Sequence, residues 1–173
     1  PNPLSQYGRS KLAGEQAVAE YCTNHVILRT AWLYSAYGKN FLKTMLRLAV
    51  SNPTREMKVV DDQYGSLTWS LTLTEQIRRL LRSDLTGIMH ATSEGYSTWY
   101  AAARYFLDAM AVDYAMRPCT TAEYPTPAHR PANSILENKV LKDAGIAVFG
   151  SWQEDIDKFV AQNREQLLAE ASS

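Results

Sequence analysis

No three glycines of this sequence stand close enough together to build a turn around a pyrophosphate. The eight fall at positions 8, 14, 38, 65, 87, 95, 145 and 150, which excludes a Gly-x-x-Gly-x-x-Gly turn opening a helix. Cysteine is as scarce: Cys22 and Cys119 make no disulfide framework and no Cys-x-x-Cys pair, so a reducing, cytoplasmic setting is expected. Neither sign of charge dominates, with 18 basic and 18 acidic residues. Arg78, Arg79 and Arg82 form the densest basic group and read as a solvated helix face, so no nucleic-acid partner is expected. No run approaches the roughly 18 apolar residues of a membrane span, and no signal peptide is visible. His25, His90 and His129 are far apart and form no His-x-x-x-His or Cys/His spacing, which gives a catalytic metal little support. A Gly-x-Ser-x-Gly nucleophile elbow is missing too.

What the sequence does contain begins with Tyr7-Gly8-Arg9-Ser10-Lys11. Four residues apart on a helix, the phenol and the ammonium lie on one face. A lysine charge beside a tyrosine favours the phenolate, and such a tyrosine can exchange a proton with a carbonyl or alcohol oxygen near neutral pH. The bland alternative is an exposed aromatic and basic pair with Lys11 meeting Glu15 one turn on. Pro1-Asn2-Pro3 cannot be helix interior and Ser5 is a suitable N-cap, so the helix is expected from just before Tyr7 to about Cys22. The apolar run from His25 then reads as a buried strand leading into Arg29, Thr30, Trp32 and Tyr34.

Further along, Asn40 is expected to cap a helix ended by Ser51-Asn52-Pro53, and Met57 to Val60 to form a strand entering the polar turn Asp61-Asp62-Gln63-Tyr64-Gly65. Thr72 and Glu75 have the spacing of a capping box, as do Ser151 and Glu154. Strands are expected at 87–91 and 117–121, with an aromatic helix opened by Ser97 between them. The order of elements is that of an α/β fold, and with no linker or internal repeat residues 1–173 read as a single unit. In such folds ligands bind beyond the carboxyl ends of the strands.

The ordered strings YGRSKLAGE, LRTAWLY, NFLKTMLRL, VDDQYG and YPTPAHRPANS resemble the dTDP-4-dehydrorhamnose reductases of the extended short-chain dehydrogenase/reductase superfamily, over nearly the whole chain. The resemblance implies the C-terminal part of a Rossmann-type enzyme whose Gly-rich half lies upstream. It implies reduction of a dTDP-4-keto-6-deoxy sugar to dTDP-L-rhamnose by NADPH, with NADH possible as cofactor. Tyr7 and Lys11 would be catalytic and, with Thr30, would contact the cofactor.

Trp32 would lie near the sugar, its alternative being a core tryptophan behind the sheet. Asn40 would contact pyrophosphate or sugar, or serve only as a helix cap. Arg130 would meet the phosphates or pair with Asp61 or Asp62, and Gln63 and Asn133 would be further substrate contacts. Some members use Mg²⁺ at a subunit interface, and a homodimer is possible. Relatives commonly have a proline where Leu67 stands, so this loop is expected to be less fixed in backbone angle. Two rival readings are a nucleotide-sugar epimerase or dehydratase and a non-catalytic regulatory subunit. These residues alone are expected to bind NADPH weakly, for want of the pyrophosphate turn.

Overall fold

A computed structural model describes residues 2–3, 5–125 and 130–173. Pro1 and His129, both used in the sequence reading, lie outside the described residues. Helix α1 (Gln6–Tyr21) starts where expected: the Ser5 side chain accepts a hydrogen bond from the Gly8 N–H. It has no buried residue. After it come strands β1 (Val26–Arg29) and β2 (Leu33–Tyr34), then helix α2 (Phe41–Ser51), whose cap is Asn40. Strands β3 (Met57–Val60), β4 (Tyr64–Gly65) and β5 (Thr68–Trp69) precede helix α3 (Ser70–Leu80).

Strands β6 (Gly87–His90) and β7 (Ser97–Thr98) lead into helix α4 (Trp99–Ala109), followed by strands β8 (Met116–Cys119) and β9 (Asn133–Ser134). Helices α5 (Lys139–Asp143) and α6 (Trp152–Ala171) end the series. The α/β class is therefore as expected, and the parallel pairs β1–β6, β2–β5 and β3–β8 fit it. In a further small sheet, β4 lies between antiparallel β7 and parallel β9.

Three local expectations are corrected. Helix α3 begins at Ser70 after Trp69, with no side-chain cap. The Thr72 hydroxyl donates instead to Asp155 on α6, at 2.9 Å, so a tertiary bond displaces the capping box. Thr98, not Ser97, caps α4, its hydroxyl oxygen accepting from the Ala101 N–H. The strand expected at 117–121 is shifted to Met116–Cys119 by its register with β3. At α6 the Ser151 and Glu154 capping box is present as expected.

The main core is a helix layer. Leu42, Leu46 and Ala49 of α2, Ala102, Phe106 and Leu107 of α4, and Ile156, Phe159 and Leu167 of α6 are all buried, with Val59 of β3, Tyr34 and Trp69. Each large apolar side chain so buried contributes about 1.5–3 kcal/mol. Phe159 is the hub, meeting Tyr34 and Trp69 edge-on and Phe106 at a tilt. A smaller core of Leu80, Met89, Ala91, Leu141 and Phe149 covers the β1–β6 pair, with Leu28 against it. These cores hold β3 and the starts of α2 and α4 in fixed relation, and a cleft opens between them.

Candidate functional site

Tyr7 and Lys11 project from the same face of α1, and the Lys11 Nζ lies 5.5 Å from the centroid of the Tyr7 ring. That is cation–π range. Tyr7 is 72% exposed, so its hydroxyl is open to a reacting oxygen. Glu15, the alternative partner of Lys11, is engaged elsewhere: Arg29 at the end of β1 donates to it from Nε at 2.9 Å and Nη2 at 2.6 Å. This bond to Arg29 holds the Glu15 carboxyl below the usual carboxylate range. Lys11, Glu15 and Arg29 border a hollow of about 240 Å³ with Asn2, Pro3, Gly8 and Leu12. Thr30, one residue beyond Arg29, is exposed.

A larger cleft of about 820 Å³ opens between α2, β3 and the start of α4. Met45, Leu48, Met57 and Val59 give it an apolar floor, Phe41, Trp99 and Tyr124 give it aromatic walls, and Arg55, Lys58 and Arg130 bring positive charge. Glu56 also faces it, but that carboxylate is paired with Arg117 at 2.9 Å. The cleft shares no lining residue with the hollow beside Lys11.

The structure brings Gln63 and Arg130 together at this cleft. Gln63 is nonetheless occupied: its Oε1 accepts from the Trp99 Nε1–H at 3.2 Å and its Nε2 donates to the Thr121 hydroxyl at 3.0 Å. Arg130 is exposed. Asp61 accepts from the Thr98 hydroxyl and Asp62 from the Thr121 N–H and hydroxyl, and among the described residues no ion pair joins either to Arg130. The two bonds from Thr121 also hold the Asp62 carboxyl below its usual range.

Asn40 is a helix cap: its Oδ1 accepts from the Lys43 N–H and its Nδ2 donates to the Ser35 carbonyl. It borders a separate hollow of about 380 Å³ that shares Thr44 with the cleft. Asn133 is exposed and its Oδ1 accepts from the Ile135 N–H, a local turn away from the cleft lining.

Trp32 is half-buried and packs against the main core. Its backbone is left-handed, φ 43°, a region bulky residues avoid. Its ring stacks on that of Trp99, with centroids 3.6 Å apart and planes 13° apart. Trp99, Tyr124, Arg55 and Lys58 escaped the sequence reading. An aromatic at a helix start is ordinarily core, and no local pattern sets Trp99 apart.

Tyr7, Lys11 and Thr30 are all exposed, and two hydroxyls and an ammonium are groups of the kind that hydrogen-bond a ribose and a nicotinamide amide. Among the described residues no Gly-rich turn opens a helix to hold the pyrophosphate of such a dinucleotide. Among the described residues no three His, Cys, Asp or Glu side chains come together to hold a metal ion, and no helix is long and apolar enough to cross a membrane.

A Tyr-x-x-x-Lys helix feeding parallel strand pairs is the arrangement of the Rossmann-like short-chain dehydrogenase/reductase fold. The chain belongs to the family described as RmlD substrate binding domain, which matches residues 1–165. It is 44% identical over 170 residues to dTDP-4-dehydrorhamnose reductase of Sinorhizobium fredii, covering 91% of this chain and 56% of that protein. Identity to the Escherichia coli protein of that name is 38% over 170 residues, with the same shares covered. Among solved structures, dTDP-4-dehydrorhamnose reductase from Bacillus anthracis in complex with NADP superposes with a TM-score of 0.89 at 36% identity, covering 94% of this chain and 57% of that one. UDP-glucose 4-epimerase of Thermus thermophilus shares the fold, with a TM-score of 0.75 at 19% identity over 95% of this chain and 55% of that one. The chain spans a little over half the length of the relatives it matches, 56% for the first two.

Proposed function

We propose that this chain is the catalytic-helix and substrate-binding part of an NADPH-dependent reductase that converts dTDP-4-dehydro-L-rhamnose to dTDP-L-rhamnose. The observation that carries the reading is the exposed Tyr7 hydroxyl with the Lys11 ammonium against its ring. The relatives' names and the family match support the substrate class.

When bound, the reduced dinucleotide supplies the hydride that reaches C4 of the keto sugar. Tyr7 donates its phenolic proton to the oxygen left on that carbon. Lys11 offsets the negative charge then left on the phenol oxygen, and Thr30 is the residue that would border the nicotinamide. Arg29 keeps Glu15 away from Lys11, so the ammonium's charge is not spent on a neighbouring carboxylate. The cleft suits the rest of the substrate: a planar base against the aromatic and aliphatic walls, and two phosphates toward Arg55, Lys58 and Arg130. Asn40 keeps one amide N–H beyond its capping role, enough for a single bond to a phosphate or sugar oxygen.

Replacement of Tyr7 by Phe in the full-length protein tests this. Turnover of dTDP-4-dehydrorhamnose with NADPH is expected to fall by at least about a hundredfold, the usual scale for a lost proton donor, with sugar-nucleotide binding by calorimetry little changed. Ordinary turnover by the variant, or release of an epimer in place of dTDP-rhamnose by the parent protein, would overturn the assignment.

A further inference from the structure

We propose that Trp99 is a positioning residue for Trp32, and that Gln63 acts on the site through Trp99 rather than by touching the substrate. The inference rests on the reading of the cleft given above and deepens it.

Trp32 is poorly placed to hold its own ring. Its left-handed backbone, φ 43°, is sustained only by what surrounds it. The Trp32 carbonyl accepts from the Thr68 N–H, and the preceding Ala31 carbonyl accepts from the Thr68 hydroxyl at 2.7 Å. These bonds fix the main chain. The indole itself is fixed by the stack on Trp99.

Trp99 is held by three separate contacts. Phe41 meets it edge-on at 4.6 Å. Its own backbone opens α4 under the Thr98 cap, and its Nε1–H is held by Gln63. Gln63 is 6% exposed and is oriented in turn by Thr121, whose hydroxyl donates to Asp62 at 2.6 Å. A run of bonds thus extends from Asp62 through Thr121 and Gln63 to Trp99, and by ring contact to Trp32. Each polar end of Gln63 makes one bond within it. The side chain is thereby held in one orientation, with its carbonyl directed at the indole N–H.

Trp99 faces the large cleft, whereas Trp32 is not part of its lining. The stack therefore joins the cleft to the segment just after Thr30. Occupancy of the cleft and the setting of Trp32 are linked through one pair of rings.

The test has a spectroscopic arm on this chain and a kinetic arm on the full-length protein. Two indoles stacked at this distance give an exciton couplet in circular dichroism. Trp32→Phe and Trp99→Phe are each expected to abolish it, and Gln63→Met, similar in shape but without an acceptor, to reduce it clearly. Thr121→Val, which frees Gln63 to turn, moves it the same way and serves if Gln63→Met folds poorly. In the full-length protein Gln63→Met is expected to lower kcat for the dTDP-keto sugar about tenfold in the Trp99 background and to have no further effect beside Trp99→Phe, which has no N–H to bind. A couplet indifferent to Gln63→Met and Thr121→Val, or kinetic effects that simply multiply in the double variant, would overturn the proposal. If the full-length protein does not reduce this substrate, the functional reading fails while the couplet and its dependence on Gln63 still decide the positioning claim.

Discussion

Arg29 grips Glu15 through two nearly parallel hydrogen bonds, Nε to Oε1 at 2.9 Å and Nη2 to Oε2 at 2.6 Å. The pair ties the exposed helix α1, which buries no residue of its own, to the end of β1. It also removes from Lys11 the one carboxylate that helical spacing would bring to it.

Loss of this pair should therefore loosen α1. Arg29→Met and Glu15→Gln are each expected to cost about 1 kcal/mol, a modest figure because both side chains are partly solvated, and the double variant little more than either. Because the Glu15 carboxyl is held below its ordinary 4.5, the contribution is full above that value and drains away as pH falls through the lower folded one. Urea titrations of parent and variants at several acidic pH values should converge at the lowest.

Gly65 carries no side chain for a spatial reason. A Cβ there would lie 2.6 Å from Cζ2 of Trp32 and 2.7 Å from the Ser134 hydroxyl oxygen. Gly65→Ala is expected to destabilise by about 1–3 kcal/mol, the scale of overpacking, and to weaken the tryptophan couplet. An alanine variant with unchanged urea midpoint and couplet would contradict this geometry.

Asp155 gives the opposite pH dependence from Glu15. Burial raises its carboxyl above the ordinary 3.8, only partly opposed by the hydroxyls of Ser93 and Thr72. The folded protein then holds this proton more tightly than the unfolded chain does. Stability attached to it is present below 3.8 and lost as pH rises through the higher folded value. Asp155→Asn should gain on the parent steadily over that rise, measured as the difference in unfolding free energy between acid and neutral pH.

Tyr34 offers a stabilising substitution. Its side chain is 3% exposed, and its hydroxyl finds no hydrogen-bond partner among the described residues. Burial, with Asp155 nearby, also pushes its ionisation far above the usual tyrosine range. Tyr34→Phe removes an unsatisfied buried group while keeping the edge-on contact with Phe159, and is expected to raise stability by about 1 kcal/mol. A lower melting temperature would point to a partner for the hydroxyl.

Features with local causes were legible in the sequence. Ser5, Asn40 and the Ser151 and Glu154 box each cap the helix expected of them, because a cap is settled within four residues. The Tyr7 and Lys11 juxtaposition is likewise a matter of helical period. Thr72 and Glu75 misled for the complementary reason: Asp155, distant in sequence, claims the Thr72 hydroxyl. The two-residue strands exist only through pairing with remote residues and leave no periodic trace. Trp99 was hidden in the same way, since its partner's left-handed backbone has no local signature. Gln63, a substrate contact by resemblance, lines the cleft and also bonds Trp99 and Thr121, partners that its neighbours in sequence do not announce.

The parallel pairs join residues remote along the chain: Val26 lies beside Gly87, and Met57 beside Met116. At a synthesis rate of about 5–20 residues per second, Val26–Arg29 leaves the ribosome several seconds before the strand that will complete it. During that wait its backbone edge is open to the same segment on a neighbouring nascent chain. The yield of correctly paired protein therefore depends on keeping growing chains apart over that interval.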